Sequence, residues 1–394
     1  MSQFLDRVKF GNGKDGAPPS SLDTNNGMGW GTFTGTATQT SGSYTDVYAG
    51  WRIVKGDVVL IHQSQGTGAG QWEINVATVG FGSLPAHSVT FAYPLAYTYG
   101  AGCQIIRVPQ YTGGTMSSAL TPVISWNGGY GGIIALMCNG DLTISGSLSI
   151  VGTAGTAGNS NGGGATGGGF RGGDRRFGNP ATGYSGDGTI GNSASQNGAR
   201  GNGGGGGYNA AGFAGGGGGG NGAAGSAGGG STYGGTGGAA GGAAGAAALT
   251  TMVFGGGGGG ATRDNTDKTG GSGASGGGII LIMAKNITIT GSISINGASG
   301  GSGSANFGSG GGGSAGGSCL IKCQNAALGT NKITATAGAG GTGGYGASGG
   351  AGGVGRIRCD YYTSVTGTTS PALSSAEDPS LNVPGNTGAF FQFL

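Results

Sequence analysis

Glycine constrains the possible folds of this chain more than any other feature. It supplies 106 of the 394 residues, most of them between residues 151 and 350, and it forms the unbroken runs Gly215–Gly220 and Gly255–Gly260. Ordering the backbone costs about 1–2 kcal/mol per residue, and glycine has no side chain whose burial would offset that cost. Such a stretch is therefore either a flexible linker or a body held together by backbone hydrogen bonds.

The composition of the stretch favours the ordered alternative. Charged residues make up only 8% of the chain, and the residues that interrupt the glycines are mostly Ala, Ser, Asn and Thr. Extended left-handed helices with about three residues per turn make no internal hydrogen bonds, so every N–H and C=O is available to a neighbouring segment. Small residues fit where such helices pack side by side. We therefore expect a rigid polyglycine II body rather than a loose Gly/Ser loop.

The overall charge and the cysteines exclude several classes of protein. A formal net charge of +3, with scattered charges, is too weak for a nucleic-acid-binding surface. The five cysteines are widely spaced and lack a Cys-x2-Cys zinc signature, so we expect buried free thiols, no metal and no cofactor. The first residues lack the apolar core of a signal peptide, and Ile279–Ala284 is far shorter than a membrane span of about 20 residues. We expect no membrane insertion.

Residues 1–120 differ in composition from the rest and are expected to form an N-terminal β domain with an irregular start, acting in attachment or capping. They carry three of the four tryptophans and both histidines. Short runs rich in β-branched and aromatic residues alternate with turn residues, a pattern typical of a small all-β domain. The runs are Trp51–Val54, Asp57–His62, Trp72–Val79, Val89–Tyr93 and Gln104–Val108.

An internal repeat predicts the architecture of the remainder. Gly131–Gly152 (GGIIALMCNGDLTISGSLSIVG) aligns without gaps with Gly276–Gly297 (GGGIILIMAKNITITGSISING), and Gly316–Ala337 and Gly353–Tyr362 are looser copies. One such unit cannot bury its apolar face alone, whereas stacked units share a core. We expect residues 121–365 to form a glycine-rich repeat body with an insertion at 153–275, followed by a C-terminal tail at 366–394. The fold class is all-β with essentially no α-helix: a small N-terminal β domain followed by a parallel β-helix-like, polyglycine II body.

Signals for catalysis are weak. His62 and His87 lack a metal-binding or triad context, and the acidic residues are isolated from one another in sequence. We therefore expect no enzyme and no catalytic residue. Two charged clusters, Phe170–Phe177 (FRGGDRRF) and Arg263–Lys268 (RDNTDK), are either solvated loop tips or patches that contact carbohydrate or phosphate, because arginine suits anionic groups. The aromatic residues of the glycine stretch are either anchors between segments or exposed platforms for sugars.

Glycine-rich runs set between short strands resemble the glycine-rich adhesins at the tips of bacteriophage tail fibres, whose domains pack polyglycine II helices. The resemblance covers about residues 128–358 and rests on composition and layout. It implies a non-enzymatic, virion-associated fibre or adhesin protein that binds a bacterial surface receptor through glycine-rich loops. The alternatives are a structural filament protein of the cell surface or extracellular matrix, then a polysaccharide depolymerase, and last an ice-binding protein.

The resemblance also implies partners and a location. The partners are other virion or fibre proteins, a bacterial surface glycan or outer-membrane receptor, and further copies of the chain in a trimer or filament; nucleic acid is not among them. The location is the virion, or alternatively the cell surface or extracellular matrix. The apolar segment Ala389–Leu394 is either a cap or a partner-docking tail. The candidate receptor contacts are Phe170, Arg171, Arg175, Arg176, Tyr208, Phe213 and Tyr233.

Overall fold

A computed structural model describes residues 9–19, 30–46, 53–80, 86–119, 124–178, 180–209, 212–263 and 268–382. Across these residues the protein is all-β, and its only helical element is a 3₁₀ turn at Pro379–Leu381. None of the described segments forms a helix long and apolar enough to cross a membrane. In chain order the strands are β1 (Trp30–Gly35), β2 (Ser41–Asp46), β3 (Val58–Gln63), β4 (Trp72–Gly80), β5 (Ala86–Phe91), β6 (Cys103–Val108), β7 (Gln110–Tyr111), β8 (Gly114–Met116), β9 (Ile133–Ile144), β10 (Ser147–Ser149), β11 (Ala157–Gly158), β12 (Arg176–Phe177), β13 (Ala181–Thr182), β14 (Tyr208–Asn209), β15 (Thr262–Arg263), β16 (Gly270–Gly271), β17 (Ile279–Ile289), β18 (Ser292–Ser294), β19 (Ser318–Thr334), β20 (Arg356–Ser370) and β21 (Ser374–Glu377).

The first six strands close into an antiparallel barrel in the order β1-β2-β5-β4-β3-β6. The sequence of strand β3, VVLIHQ, begins with four apolar residues and does not alternate between apolar and polar. Val59 and Ile61 belong to the core of the barrel, whereas Val58 and Leu60 belong to the larger core that the barrel shares with the main sheet. Both faces of the strand are therefore buried, which removes the need for a polar face.

The copies of the internal repeat lie side by side in a nine-stranded sheet. Ile279 of β17 pairs in parallel with Ile133 of β9 and with Ser318 of β19, and Ser318 pairs with Arg356 of β20. Apolar residues of neighbouring copies therefore stack and fill one core. In the first half of β9 and β17 the pairing is shifted by one residue from the ungapped alignment, which matches Ile134 with Ile279, and an irregularity between Ala284 and Asn286 restores the aligned register. At the turn of each copy, polar side chains form a ladder: Asn286 donates to Asp141 (2.7 Å) and Asn325 donates to Asn286 (2.9 Å).

Between these strands, glycine segments hydrogen-bond to one another with a period of three residues. In the run that begins at Gly255, the N–H groups of 255, 258 and 261 donate to the carbonyls of 277, 274 and 271. Those of 256, 259 and 262 donate to 220, 217 and 214, and those of 257 and 260 donate to 187 and 184. Each successive residue thus faces a different neighbour, which is the geometry of an extended threefold helix with three neighbours.

Close approach of these segments explains why the interior runs contain only glycine. A Cβ built on Gly256, Gly257, Gly259 or Gly260 would overlap a carbonyl oxygen of a neighbouring segment. Surface segments need glycine less often: in 222–228, every third residue (Gly222, Gly225 and Gly228) faces a neighbour, while Ala223, Ala224, Ser226 and Ala227 are exposed. An unbroken glycine run therefore marks an interior segment, and a G-x-x pattern marks a surface segment. We call this hydrogen-bonded set of segments the glycine body.

One end of the glycine body is clamped to the barrel. The indole N–H of Trp72 donates to the Leu249 carbonyl (2.9 Å), and the His62 Nε2 lies 2.9 Å from the Met252 carbonyl. Since a carbonyl can only accept, Nε2 carries the proton and Nδ1 accepts from the Ser64 hydroxyl (2.9 Å). Burial lowers the pKa of His62 to about 4, so the ring is neutral at pH 7.

The structure bears on the predictions for the cysteines and for the C-terminal part of the chain. All five cysteines are buried free thiols, which confirms that prediction. The main sheet continues past residue 366, because β20 ends at Ser370 and β21 pairs with it in parallel. The apolar segment 389–394, the first eight residues, most of the RDNTDK cluster and residues 51–52 of the Trp51–Val54 run lie outside the described residues.

Candidate functional site

Hairpins of the glycine body end in turns that lie away from the main sheet. One hairpin leaves the end of β18 and returns to β19, and the next leaves β19 and returns to β20. Their turns fall at residues 303–308 and 342–347. At about 3 Å per extended residue, the path from Gly308 to Ser318 places the first turn about 30 Å from the sheet. The end that is not clamped to the barrel therefore carries these turns.

Four aromatic rings from four separate segments meet at this end. Phe213, Tyr233, Phe307 and Tyr345 form six ring pairs, with centroid separations from 4.9 to 6.3 Å. Every ring therefore contacts the other three. These separations are those at which aromatic pairs attract one another beyond the burial of their area.

The four rings divide into one base and three exposed members. Phe213 is buried, whereas Tyr233, Phe307 and Tyr345 are 50%, 38% and 44% exposed. The exposed rings fan out: Phe307 is tilted by 40° from Tyr233 and by 45° from Tyr345, and the two tyrosines are nearly perpendicular (85°). We call Tyr233, Phe307 and Tyr345, seated on Phe213, the aromatic tripod.

Two members of the tripod stand on strained backbone. Phe307 and Tyr345 have φ values of +56° and +48°, in the left-handed region. A residue with a side chain pays about 1–2 kcal/mol to adopt this conformation, which glycine adopts freely. Strained residues with bulky side chains persist where the surrounding structure holds them, and they concentrate at functional sites.

The predicted contacts Phe213 and Tyr233 belong to this cluster, and three others lie at the same end. Arg175 is buried, and its guanidinium donates to the Ser160 carbonyl (2.9 Å). Arg176 stacks over the ring of Tyr184 at 4.3 Å. Tyr208 is 38% exposed and bridges to Thr236, three residues from Tyr233. The two arginines thus hold neighbouring segments together within the protein.

The remaining two predicted contacts lie elsewhere. Phe170 is fully buried against Trp126 (5.7 Å) and Phe254 (5.2 Å), in the core near the barrel. Arg171 donates to the buried carboxylate of Asp187 (2.7 Å) and to the Asn127 carbonyl (2.9 Å). In this conformation Phe170 offers no surface to a receptor, and both residues serve to anchor the glycine body to its surroundings.

Sequence reasoning missed Phe307 and Tyr345, although a signal was present. Phe307 precedes Ser318 by as many residues as Tyr345 precedes Arg356, and Ser318 pairs with Arg356 in register. The two aromatics therefore occupy the same position in successive repeats. Each is also followed by glycine, as is Tyr233. Extending the repeat alignment into the glycine segments would have found them.

Charged residues elsewhere are paired in ways that tie segments together. Asp57 is buried and accepts from Arg107 (2.9 Å) and from Lys14, which fastens residues 9–19 to the barrel. Lys322 bridges Asp360 (2.8 Å) and Asp378 (3.3 Å), which fastens the end of the described chain to the sheet. Across the residues that the structure describes, no group of three or more His, Cys, Asp or Glu side chains is placed to hold a metal ion.

The chain was compared with protein families, curated proteins and solved structures. No protein-family model matches this chain, and neither curated proteins nor solved structures give a match.

Proposed function

We propose that this chain is a non-enzymatic fibre or adhesin protein of a virion, which binds a bacterial surface through the turns of its glycine body. One observation carries the proposal: an exposed aromatic tripod stands on ordered hairpins at the end of the body that is not clamped to the barrel. Solvent-exposed aromatic clusters are costly for a soluble protein and mark binding surfaces. The virion location rests on the resemblance to tail-fibre adhesins.

The proposed architecture is a barrel domain followed by a parallel β-helix-like coil and a polyglycine II body. The in-register pairing of the repeats and the three-residue hydrogen-bond period both support it. In this arrangement the barrel end attaches to other virion or fibre proteins and the tripod end faces the host. A rigid body suits this division because it holds the binding turns without an ordering cost upon binding.

The outer faces of the body argue against the alternative of a laterally assembled filament. Ala224, Ala227, Ser348 and Ala351 are exposed, and each carries a Cβ on an outer face. Inside the body, a Cβ at the packing positions would overlap a neighbouring carbonyl. A second copy could not pack its segments against these faces as closely as the interior segments pack, so the faces limit growth of the lattice.

Adsorption of purified protein to bacteria tests the proposal. Labelled full-length chain is incubated with a panel of strains, and the expected result is saturable binding to a subset of them. Combined Tyr233→Ala and Tyr345→Ala should abolish that binding. Ile190→Ala is the matched control, because Ile190 is 64% exposed and belongs to the loop that contacts the barrel. Filament formation without adsorption to any strain would replace the proposal with the structural alternative.

A further inference from the structure

We infer that the aromatic tripod binds the apolar face of an uncharged pyranose ring in a bacterial surface glycan. The inference rests on the attachment function proposed above and names the chemistry of the ligand. A pyranose presents C–H groups on its faces and hydroxyls around its edge. It therefore fits a site that offers aromatic faces with polar groups beside them, as an amphipathic tyrosine does.

The fan of rings supplies faces at several orientations. Phe307 bisects the angle between Tyr233 and Tyr345, and each ring is more than one-third exposed. A sugar can stack on one face while its neighbour in the glycan meets the next ring. Each tyrosine hydroxyl stands at the edge of a half-exposed ring, where it can bond to sugar hydroxyls.

Charge favours a neutral ligand. The turns that carry the tripod read GSTYGGT (230–236), GSANFG (303–308) and TGGYGA (342–347), without a charged residue. Two nearby arginines stack on aromatic rings of the protein: Arg176 on Tyr184 and Arg263 on Phe177 at 3.9 Å. Recognition of sialic acid, uronic acid or phosphate would use free arginine forks, so these turns fit an uncharged sugar better than an anionic one.

Order in the free protein compensates for the small area of the site. Three rings bury little surface, so affinity depends on rings that are already in place. Phe213 supports the tripod from below, and the backbone beside it is fixed by the bonds from Gly215 to Gly229 (2.9 Å) and from Gly310 to Ala347 (2.9 Å). The left-handed conformations of Phe307 and Tyr345 direct these rings outward at a cost in stability.

Treatment of the target cells separates this inference from the attachment function. Cells of a binding strain are treated with periodate, which cleaves sugar diols, or with protease, and adsorption of the full-length chain is measured. We expect loss after periodate, retention after protease, and competition by neutral polysaccharide from the same strain. If protease abolishes adsorption and periodate does not, attachment stands and the ligand is a protein. If no strain is bound, the attachment function itself fails.

Variants of one ring test stacking directly. Tyr345→Phe keeps the ring and should retain binding within about threefold, whereas Tyr345→Ala should weaken it by about tenfold or more. Ile190→Ala, at an exposed apolar residue beside the barrel and far from the tripod, should leave binding unchanged. Thermal unfolding of each variant shows that the fold is intact. Equal binding by Tyr345→Ala and the parent chain would overturn the inference.

Discussion

Addition of a single methyl group inside the glycine body should be among the most damaging substitutions in the protein. In Gly259→Ala the new Cβ would overlap the carbonyl oxygen of Gly205. The N–H of Gly259 donates to Gly217 (2.8 Å), and its carbonyl accepts from Gly312 (2.8 Å). The segments around the methyl group must move apart, and these hydrogen bonds weaken together.

The expected cost follows from these contacts. Two weakened backbone hydrogen bonds cost about 0.5–1.5 kcal/mol each, and overpacking adds about 1–3 kcal/mol. We expect Gly259→Ala to lower the free energy of unfolding by about 2–6 kcal/mol, which is a large share of the stability of a typical domain. Urea unfolding of the purified chain, followed by circular dichroism and by limited proteolysis, measures this loss.

Gly242→Ala is the matched control. Gly242 is exposed, and the nearest atom to its added Cβ is the Gly201 carbonyl oxygen at 3.6 Å, an ordinary contact. The same chemical change should therefore be neutral or should stabilise the protein by up to about 1 kcal/mol, by reducing the entropy of the unfolded chain. Equal effects of the two substitutions would refute the close packing described above.

Three further predictions concern other parts of the molecule. Because burial lowers the pKa of His62 to about 4, unfolding takes up a proton between pH 4 and 6.5. The free energy of unfolding should therefore fall by about 3 kcal/mol as the pH is lowered across that range. In a pH series, His62→Gln should show a flatter dependence than the parent chain, and parallel curves for the two proteins would contradict the assignment. In denaturant titrations, Phe170→Ala should lower the free energy of unfolding by about 3–5 kcal/mol and Arg171→Leu by about 2–3 kcal/mol. Both variants should still bind cells at low temperature. Loss of binding without loss of stability would show that these residues contact the receptor. The five buried thiols should resist alkylation in the native protein and react fully in denaturant, as mass spectrometry would show; rapid native labelling of Cys319 would contradict its burial.

The sequence predicted the strands of the internal repeat better than the first strands of the barrel. Apolar runs bounded by glycine showed where β9, β17 and β19 lie, because each copy repeats the same strand and turn. Strands β1 (WGTFTG) and β2 (SGSYTD) gave no such signal, since Gly35 and Gly42 interrupt their alternation. A Cβ on either glycine would meet the ring of Phe33, so packing explains residues that propensity disfavours.

The candidate site was harder to predict because its members are brought together from distant segments. Phe170 and Phe213 both interrupt glycine runs, yet one packs beside the barrel and the other supports the tripod. Local sequence does not show at which end of a segment a residue lies. That depends on partners such as Trp126 or Tyr345, which are far away in the chain.

Hydrogen exchange at Gly255–Gly260 tests the central claim, that the glycine stretch is a hydrogen-bonded body, most directly. Each N–H in this run donates to another segment, so all six amides should exchange as slowly as those of the neighbouring strand β17. Peptide-resolved deuterium uptake of the full-length chain at neutral pH measures this. Uptake within seconds, as in an unstructured glycine linker, alongside a protected β17 would contradict the account.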